Sequence, residues 1–446
     1  MTERLFRPVS SASLAAYRIG FGLLGAVLLI RFWRMGWIER AFTEPKFFFK
    51  YYGFEWIQLW PGQGIYLHFA ILTAVSLCLA CGLFTRVMSL LFFLGFTYIE
   101  MLDQSNYLNH YYLIALLAFI NVFLPLNARW SLDNLIGLSA RRDFIPAWAL
   151  YWVRGQVGTV YFFAGLAKFG TDWLLRAEPL NVWLTAHSSF PVVGFFLGQV
   201  WLHYLMSWAG FLFDLSIPFW MSNGRTRPYA YLVVIFFHVC TYLLFPIGLF
   251  PFIMVFAAAM FFPADWPLKL FGQSKEPARG IKIQWRGPVV AGLALWFFVQ
   301  WTMPFRNLLY PGNVLWTEEA MRFSWKVMIR EKNTETIFRV KDLATEETRF
   351  VSPSAYLLRH QEIEMSGSPD MILQFAHFLK QEMKAKGRDV AVYADTYSSF
   401  NGRSGKPLID PHVDLTKERE SFRPKRWIEP APETDPHRLS IGAFAL

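Results

Sequence analysis

Between Arg154 and Trp173 the chain reads R-G-Q-V-G-T-V-Y-F-F-A-G-L-A-K-F-G-T-D-W. Its apolar core, Val157 to Phe169, has helical character, and Lys168 stands inside the C-terminal end of that run. Helical spacing places Arg154, Tyr161, Gly165 and Lys168 on one face. Burial disfavours an ammonium, so a lysine enclosed in an apolar bundle can lose its proton and act as a base. The rival reading is a lysine that snorkels from a helix end to the headgroups. The stretch alone leaves both open. Asp103, Asn106, Asn109 and His110 step along one face at the start of another run, as a hydrated helix entrance or as part of a site. Asp214, in F-L-F-D-L-S, is expected to pair with Arg225 or Arg227 in a structural role. His238 sits in mid-run beside Thr241 and Tyr242, and a lone histidine on an apolar face is usually a satisfied core residue.

Metal chemistry finds no support. There is no H-E-x-x-H, no Cys/His cluster, no G-x-S-x-G and no phosphate-cradling glycine loop. Cys78 and Cys81 form a C-x-x-C without a partner pair, inside an apolar run, and Cys240 lies in another, so all three are read as packing residues. No cysteine follows residue 305, which rules out an internal disulfide there.

These groups need elements to hold them. Apolar runs of about spanning length fall at 13–32, 64–84, 87–103, 107–125, 148–168, 193–220, 229–247, 248–263 and 288–304. A hydrocarbon core needs about 20 helical residues, so the expectation is an all-α membrane bundle of about nine spans. The first run, Leu14 to Ile30, lacks a small-residue cleavage site and is read as a retained span. Segment 33–62 reads as an interfacial or folded loop, the piece between Trp130 and Trp148 as an amphipathic surface segment, and 172–195 as a cap over the Lys168 helix. After Pro304 the pattern changes. Arg322–Arg330, Glu335–Lys341, Thr348–Ser352 and Val390–Tyr397 alternate like strands, and Met371–Lys386 is an amphipathic helix stopped by Gly387. The expected organisation is a membrane domain over 1–304 and a small α+β or β-rich extramembrane domain over 305–446.

Composition agrees. Of 446 residues 54% are hydrophobic and only 17% charged, with 19 Trp, 18 Tyr and 45 Phe, as in a polytopic protein with interfacial aromatic anchors. The net charge of +10 could suggest nucleic acid, but the cations are spread over the loops between apolar runs. Membrane orientation explains them better. Arg4, Arg7, Arg86, Arg129, Arg141, Arg142, Arg225, Arg227, Lys269, Lys275, Arg279, Lys282 and Arg286 then lie inside, which predicts a cytoplasmic N-terminus and an extracytoplasmic C-terminal domain.

The Arg154–Trp173 stretch closely resembles the active-site helix of the vitamin K-dependent γ-glutamyl carboxylases, with an HTTM-type membrane domain. The likeness continues in D-Q-S-N-Y-L-N-H-Y-Y-L (103–113), F-D-L-S (213–216), F-F-H-V-C-T-Y-L-L-F-P-I-G-L-F (236–250), L-Y-P-G-N-V-L-W-T-E-E (309–319), F-S-W-K-V-M (323–328) and I-D-P-H-V-D-L (409–415). The resemblance implies an enzyme. A reduced vitamin K hydroquinone, or menaquinol, is deprotonated and reacts with O2. The resulting base takes a γ-proton from a glutamyl side chain, and the carbanion adds CO2, with quinone epoxide as co-product. By motif, Lys168 is the amine base and Asn109 and His110 hold the cofactor and stabilise charge. His238 belongs to the catalytic chamber, and Tyr161 and Trp173 are cofactor-binding candidates. The partners implied are a glutamate-containing peptide or protein and membrane lipid. Two positions depart from the family: Ala167 replaces a second lysine, and Asn307 stands where a histidine is expected. The chain stops soon after Trp427-Ile428-Glu429-Pro430 and so resembles the shorter microbial type, whose peptide is expected to be recognised differently. The alternatives are a quinol epoxidase or oxidase that does not carboxylate, and a non-enzymatic quinone- or lipid-binding protein.

Overall fold

The computed structural model describes residues 2–272 and 285–433. Lys275, Arg279 and Lys282, whose charges bear on orientation, lie outside the described residues. The nine apolar runs fold as nine helices: α1 (Ala12–Arg34), α2 (Gly64–Cys81), α3 (Thr85–Leu102), α4 (Asn109–Phe123), α5 (Trp148–Ala167), α6 (Val200–Ser222), α7 (Arg227–Leu244), α8 (Phe250–Ala258) and α9 (Arg286–Thr302). The count of nine spans is not reached. Five segments among the described residues are long and apolar enough to cross a membrane: α1, α2, α3, α7 and Arg286–Leu309, while α4 and α8 are shorter apolar helices. Helices α5 and α6 bring Arg154, Gln156, His203 and Asp214 into the fold, which lowers their hydropathy.

Helix α1 is the most enclosed of the five, with 61% of its apolar window buried against 17% for α7. It packs closely on α2, where a Cβ on Gly22 would stand 2.5 Å from the Ala80 amide nitrogen. At Gly165 the same device joins α5 to α6: a Cβ there would lie 2.6 Å from the Leu215 nitrogen. Small residues let helix backbones approach this closely in membranes.

The C-terminal part carries an antiparallel sheet of order β4-β3-β5-β6, formed by β3 (Lys332–Asp342), β4 (Thr348–Val351), β5 (Val390–Phe400) and β6 (Arg403–Lys406). A shorter pair, β1 (Pro8–Ser10) and β2 (Phe144–Pro146), ties the N-terminus to the start of α5. Phe338 pairs with Ala394 and Val340 with Val392, so one sheet face is apolar. Helices α10 (Arg359–Gly367) and α11 (Pro369–Ala385) cover that face, with Phe375, Ala376 and Leu379 in the core.

Two expectations about local structure need correction. Arg322–Arg330 contains no strand, and Phe323, Trp325 and Met328 have positive φ. Its aromatic residues pack on the bundle instead: Trp325 stacks 4.9 Å from Tyr112, and Phe323 lies against Tyr107. Asp103 and Asn106 precede the helix that their spacing suggests. Asp103 instead caps the 3-10 turn Gln104–Asn106 and accepts a hydrogen bond from Gln361 Nε2 at 2.8 Å. The amphipathic piece after Trp130 forms a single helical turn, Leu132–Leu135. Segment 33–62 is a folded loop, as expected, and inserts Phe47 and Phe49 into the C-terminal core.

Candidate active site

Lys168 is the C-cap of α5, where exposed carbonyls favour a cation. Its Nζ donates to Ala164 O at 3.2 Å and lies 2.7 Å from Asp214 Oδ2. Both side chains are buried, 7% and 8% exposed. Asp214 therefore does not pair with Arg225 or Arg227. Arg227 donates to the carbonyls of Met221 and Ser222. Asp214 lies well inside α6, beside the Gly165 contact that brings the two backbones together.

Trp173 lies over the lysine, 5.2 Å from Nζ to the ring centroid. Its own Nε1 donates to Ser207 O at 2.7 Å, which fixes the indole on α6. Tyr161, two turns before Lys168 on α5, places its hydroxyl 2.8 Å from His238 Nε2 on α7. Lys168, Asp214, Tyr161, Trp173 and His238 line one narrow cavity of about 100 Å³, walled by Phe237, Phe250 and Met254 among others. Arg154, expected on the same face, sits near the other end of α5 and donates to Met260 O and Phe262 O.

Asn109 and His110, in the first turn of α4, line a second cavity of about 680 Å³. Asn109 Oδ1 accepts from the Tyr107 hydroxyl at 3.2 Å, and the His110 ring stands 5.7 Å from that of Phe250. Phe245, Ile247, Phe250, Val327 and Met328 line both cavities, so the two adjoin. Phe250 reaches His238 as well, at 6.0 Å. The two groups of candidates thus line adjoining cavities that share these five residues.

Sequence reasoning misses four contributors. The role of Asp214 is unreadable because its partner is 46 residues away. Val327 and Met328 fall in a segment whose alternation suggests a strand, and no strand forms there. Arg31 lines the second cavity with its Nε buried, and it makes no hydrogen bond or ion pair among the described residues. Its partner is the Trp37 ring at 5.0 Å. The signal for it is present in R-F-W-R at the end of an apolar run. Asn307 accepts a hydrogen bond from Lys326 Nζ at 3.2 Å. Burial and the neighbouring Arg306 charge push the Lys326 ammonium down to about 8.

The HTTM domain matches residues 6–266, and the lumenal domain of vitamin K-dependent gamma-carboxylase matches residues 286–434. The chain belongs to the vitamin K-dependent gamma-carboxylase family. As a gamma-carboxylase family member it is a multipass membrane protein with the domains of a carboxylase. The family implies a vitamin K cofactor and a glutamate-containing protein substrate. No solved structure matches the chain. The side chains around the Lys168 cavity of this gamma-carboxylase family member suit the hydroxyl end of a hydroquinone, and its 100 Å³ holds no more than that end. The walls are mostly apolar and aromatic, and the polar side chains lining them include Lys168, Asp214, Tyr161, His238, whose Nδ1 is buried, and Thr241. His238 Nδ1 has no hydrogen-bond partner among the described residues.

Proposed function

We propose that this chain carboxylates glutamyl side chains at Cγ, using a vitamin K-class hydroquinone or menaquinol with O2 and CO2, and releases the quinone epoxide. When bound, the hydroquinone supplies the electrons for oxygen reduction, and with them the driving force for a base stronger than any side chain. One observation carries the reading: a buried amine, held by a buried carboxylate, opens onto an apolar aromatic cavity.

A 2.7 Å contact lets one proton move between Asp214 Oδ2 and Lys168 Nζ. The pair is then an ion pair or an acid and an amine, and burial penalises the charged version. In the acid–amine form the Nζ lone pair accepts the Asp214 O–H, and the amine takes a phenolic proton once that hydroxyl turns away from it. Trp173 holds Nζ in place from above, and Tyr161 fixes the His238 ring so that Nδ1 remains for a ligand oxygen. In the adjoining cavity, Arg31 receives the glutamyl carboxylate, and Asn109 and His110 stabilise the charge that grows when the γ-proton leaves. The membrane part, 1–304, has a cytoplasmic N-terminus, and the part from 305 onward is extracytoplasmic.

A second reading rests on Asn307, which stands where the resemblance expects a histidine and is engaged by Lys326. On that reading the hydroquinone is oxidised without carboxylation. One assay separates the readings: purified protein in nanodiscs with reduced vitamin K, labelled bicarbonate, O2 and a glutamyl peptide, scored for epoxide and for fixed label. Wild type makes both. Lys168→Ala makes neither, and a small exogenous amine restores part of the activity. Arg31→Gln keeps epoxide formation and loses fixed label by about tenfold or more, the scale of one lost charge-assisted bond. Epoxide without label in wild type selects the second reading, and neither product from any tested hydroquinone sinks both.

A further inference from the structure

We propose that the cavity at the other end of α5 binds the phosphate of an anionic phospholipid. This cavity, about 770 Å³, lies between α5, α6 and α9. Arg7, Arg154 and Arg227 line it, and no carboxylate does. None of the three makes an ion pair among the described residues. Arg154 is 14 residues before Lys168, about 21 Å along the helix, so the site is remote from the two cavities above.

Arg154 and Arg227 are each held by two carbonyls, and the exposed Arg7 by one hydroxyl. Arg154 donates Nε to Met260 O at 2.6 Å and Nη2 to Phe262 O at 2.8 Å. Arg227 donates Nε to Met221 O at 2.8 Å and Nη2 to Ser222 O at 3.1 Å. Arg7 donates Nη2 to the Tyr151 hydroxyl at 3.0 Å. Helix C-terminal carbonyls attract cations, which accounts for Arg154 and Arg227 singly. It does not account for three cations converging on one cavity with nothing negative between them, an arrangement that like-charge repulsion opposes. A guanidinium offers five N–H donors, and the bonds above use at most two of the nitrogens in each. The rest remain for an anion, and Arg is the side chain whose planar fork matches phosphate.

The remaining walls point to the source of that phosphate. Phe162, Phe219, Phe297 and Trp301 continue the cavity as an apolar trough. Phe219 and Trp301 are 65% and 46% exposed on the outer surface of the bundle. A phosphodiester with acyl chains satisfies both halves, whereas free phosphate leaves the trough unused. Basic pockets between membrane helices take acidic head groups in this way.

Native mass spectrometry of the full protein released from detergent tests the proposal. Phosphatidylglycerol, phosphatidylcholine and inorganic phosphate are added separately. The expected result is one phosphatidylglycerol retained about tenfold more readily than phosphatidylcholine, with no adduct from inorganic phosphate. Arg7→Gln, which disturbs no helix cap, lowers that preference about tenfold, the effect of one charge-assisted bond. Arg154→Lys keeps the charge and a donor for the carbonyls but loses the fork, and lowers it by a smaller factor. Equal retention of the two lipids overturns the proposal, as does an unchanged preference in folded Arg7→Gln or a phosphate adduct that displaces the lipid.

Discussion

The nearest acceptor for a proton on Lys168 Nζ is Asp214 Oδ2, and neither group reaches bulk water. Asp214→Asn keeps the shape and removes the acceptor. A buried ammonium then has no counter-charge, and a lone buried charge costs about 3–5 kcal/mol, so the variant is also less stable. Epoxide formation should fall about 100-fold, the usual scale for a lost proton-transfer partner, while the KM for hydroquinone changes little. Asp214→Glu should recover part of the rate. An unchanged kcat in Asp214→Asn would remove Asp214 from the mechanism. Lys168, Tyr161, His110 and His238 are legible in the sequence because each is a polar side chain in an apolar run, where it has to be satisfied or used. The pairing of Asp214 is not, because local distance favours Arg225 and Arg227 while the real partner sits on another helix.

Elements set that pairing. Gly165 lets α5 touch α6 at Leu215, and a methyl there would stand 2.6 Å from backbone that has no rotamer to yield. Gly165→Ala should therefore push α6 outward and stretch the Lys168–Asp214 contact. Overpacking of this kind costs about 1–3 kcal/mol. Turnover should drop further than the melting temperature suggests, since the displaced atoms are the reacting ones. Gly158→Ala on the same helix is the control. Its Cβ would meet Pro218 Cβ at an ordinary 3.6 Å, and the gain in helix propensity of up to about 1 kcal/mol should make it neutral or stabilising. Equal melting and turnover in both variants would refute the close-contact argument. Helix positions are readable because apolar length and period survive in the sequence, and β3, β5 and α11 are readable from their alternation and caps. Residues 322–330 mislead because a period of two in the sequence need not be a period of two in burial: Ser324, Trp325 and Ile329 are the buried ones. Phe323, Trp325 and Val327 pack against the bundle, not against a sheet partner.

At the scale of the whole molecule, the C-terminal part is fastened to the bundle at several separated places. Arg403 and Asn401 bond Asp172 just past Lys168, and Gln361 bonds Asp103. Gln374 bonds Lys50 while also reaching Glu420 Oε1 at 3.1 Å. None of these partners can be matched from the sequence, because each joins segments tens to hundreds of residues apart and no local pattern encodes them. The Glu420 fastening has a sign that pH can read. Burial, with Asp370 nearby, raises its carboxyl to about 7 from an ordinary value near 4.5. A raised carboxyl favours the folded state while it is protonated. Its contribution is complete below the unfolded value and is lost as pH climbs through about 7. Raising a carboxyl by one pH unit is worth about 1.4 kcal/mol, and partial solvent contact reduces the total here to about 2 kcal/mol. The wild-type protein should thus lose stability between about pH 5 and 7.5, relative to Glu420→Gln, which cannot ionise and keeps an oxygen to accept the hydrogen bond from Gln374 Nε2. Thermal unfolding in detergent over that range measures the difference. Parallel curves for the two proteins would show that Glu420 ionises normally and adds nothing to the folded C-terminal part.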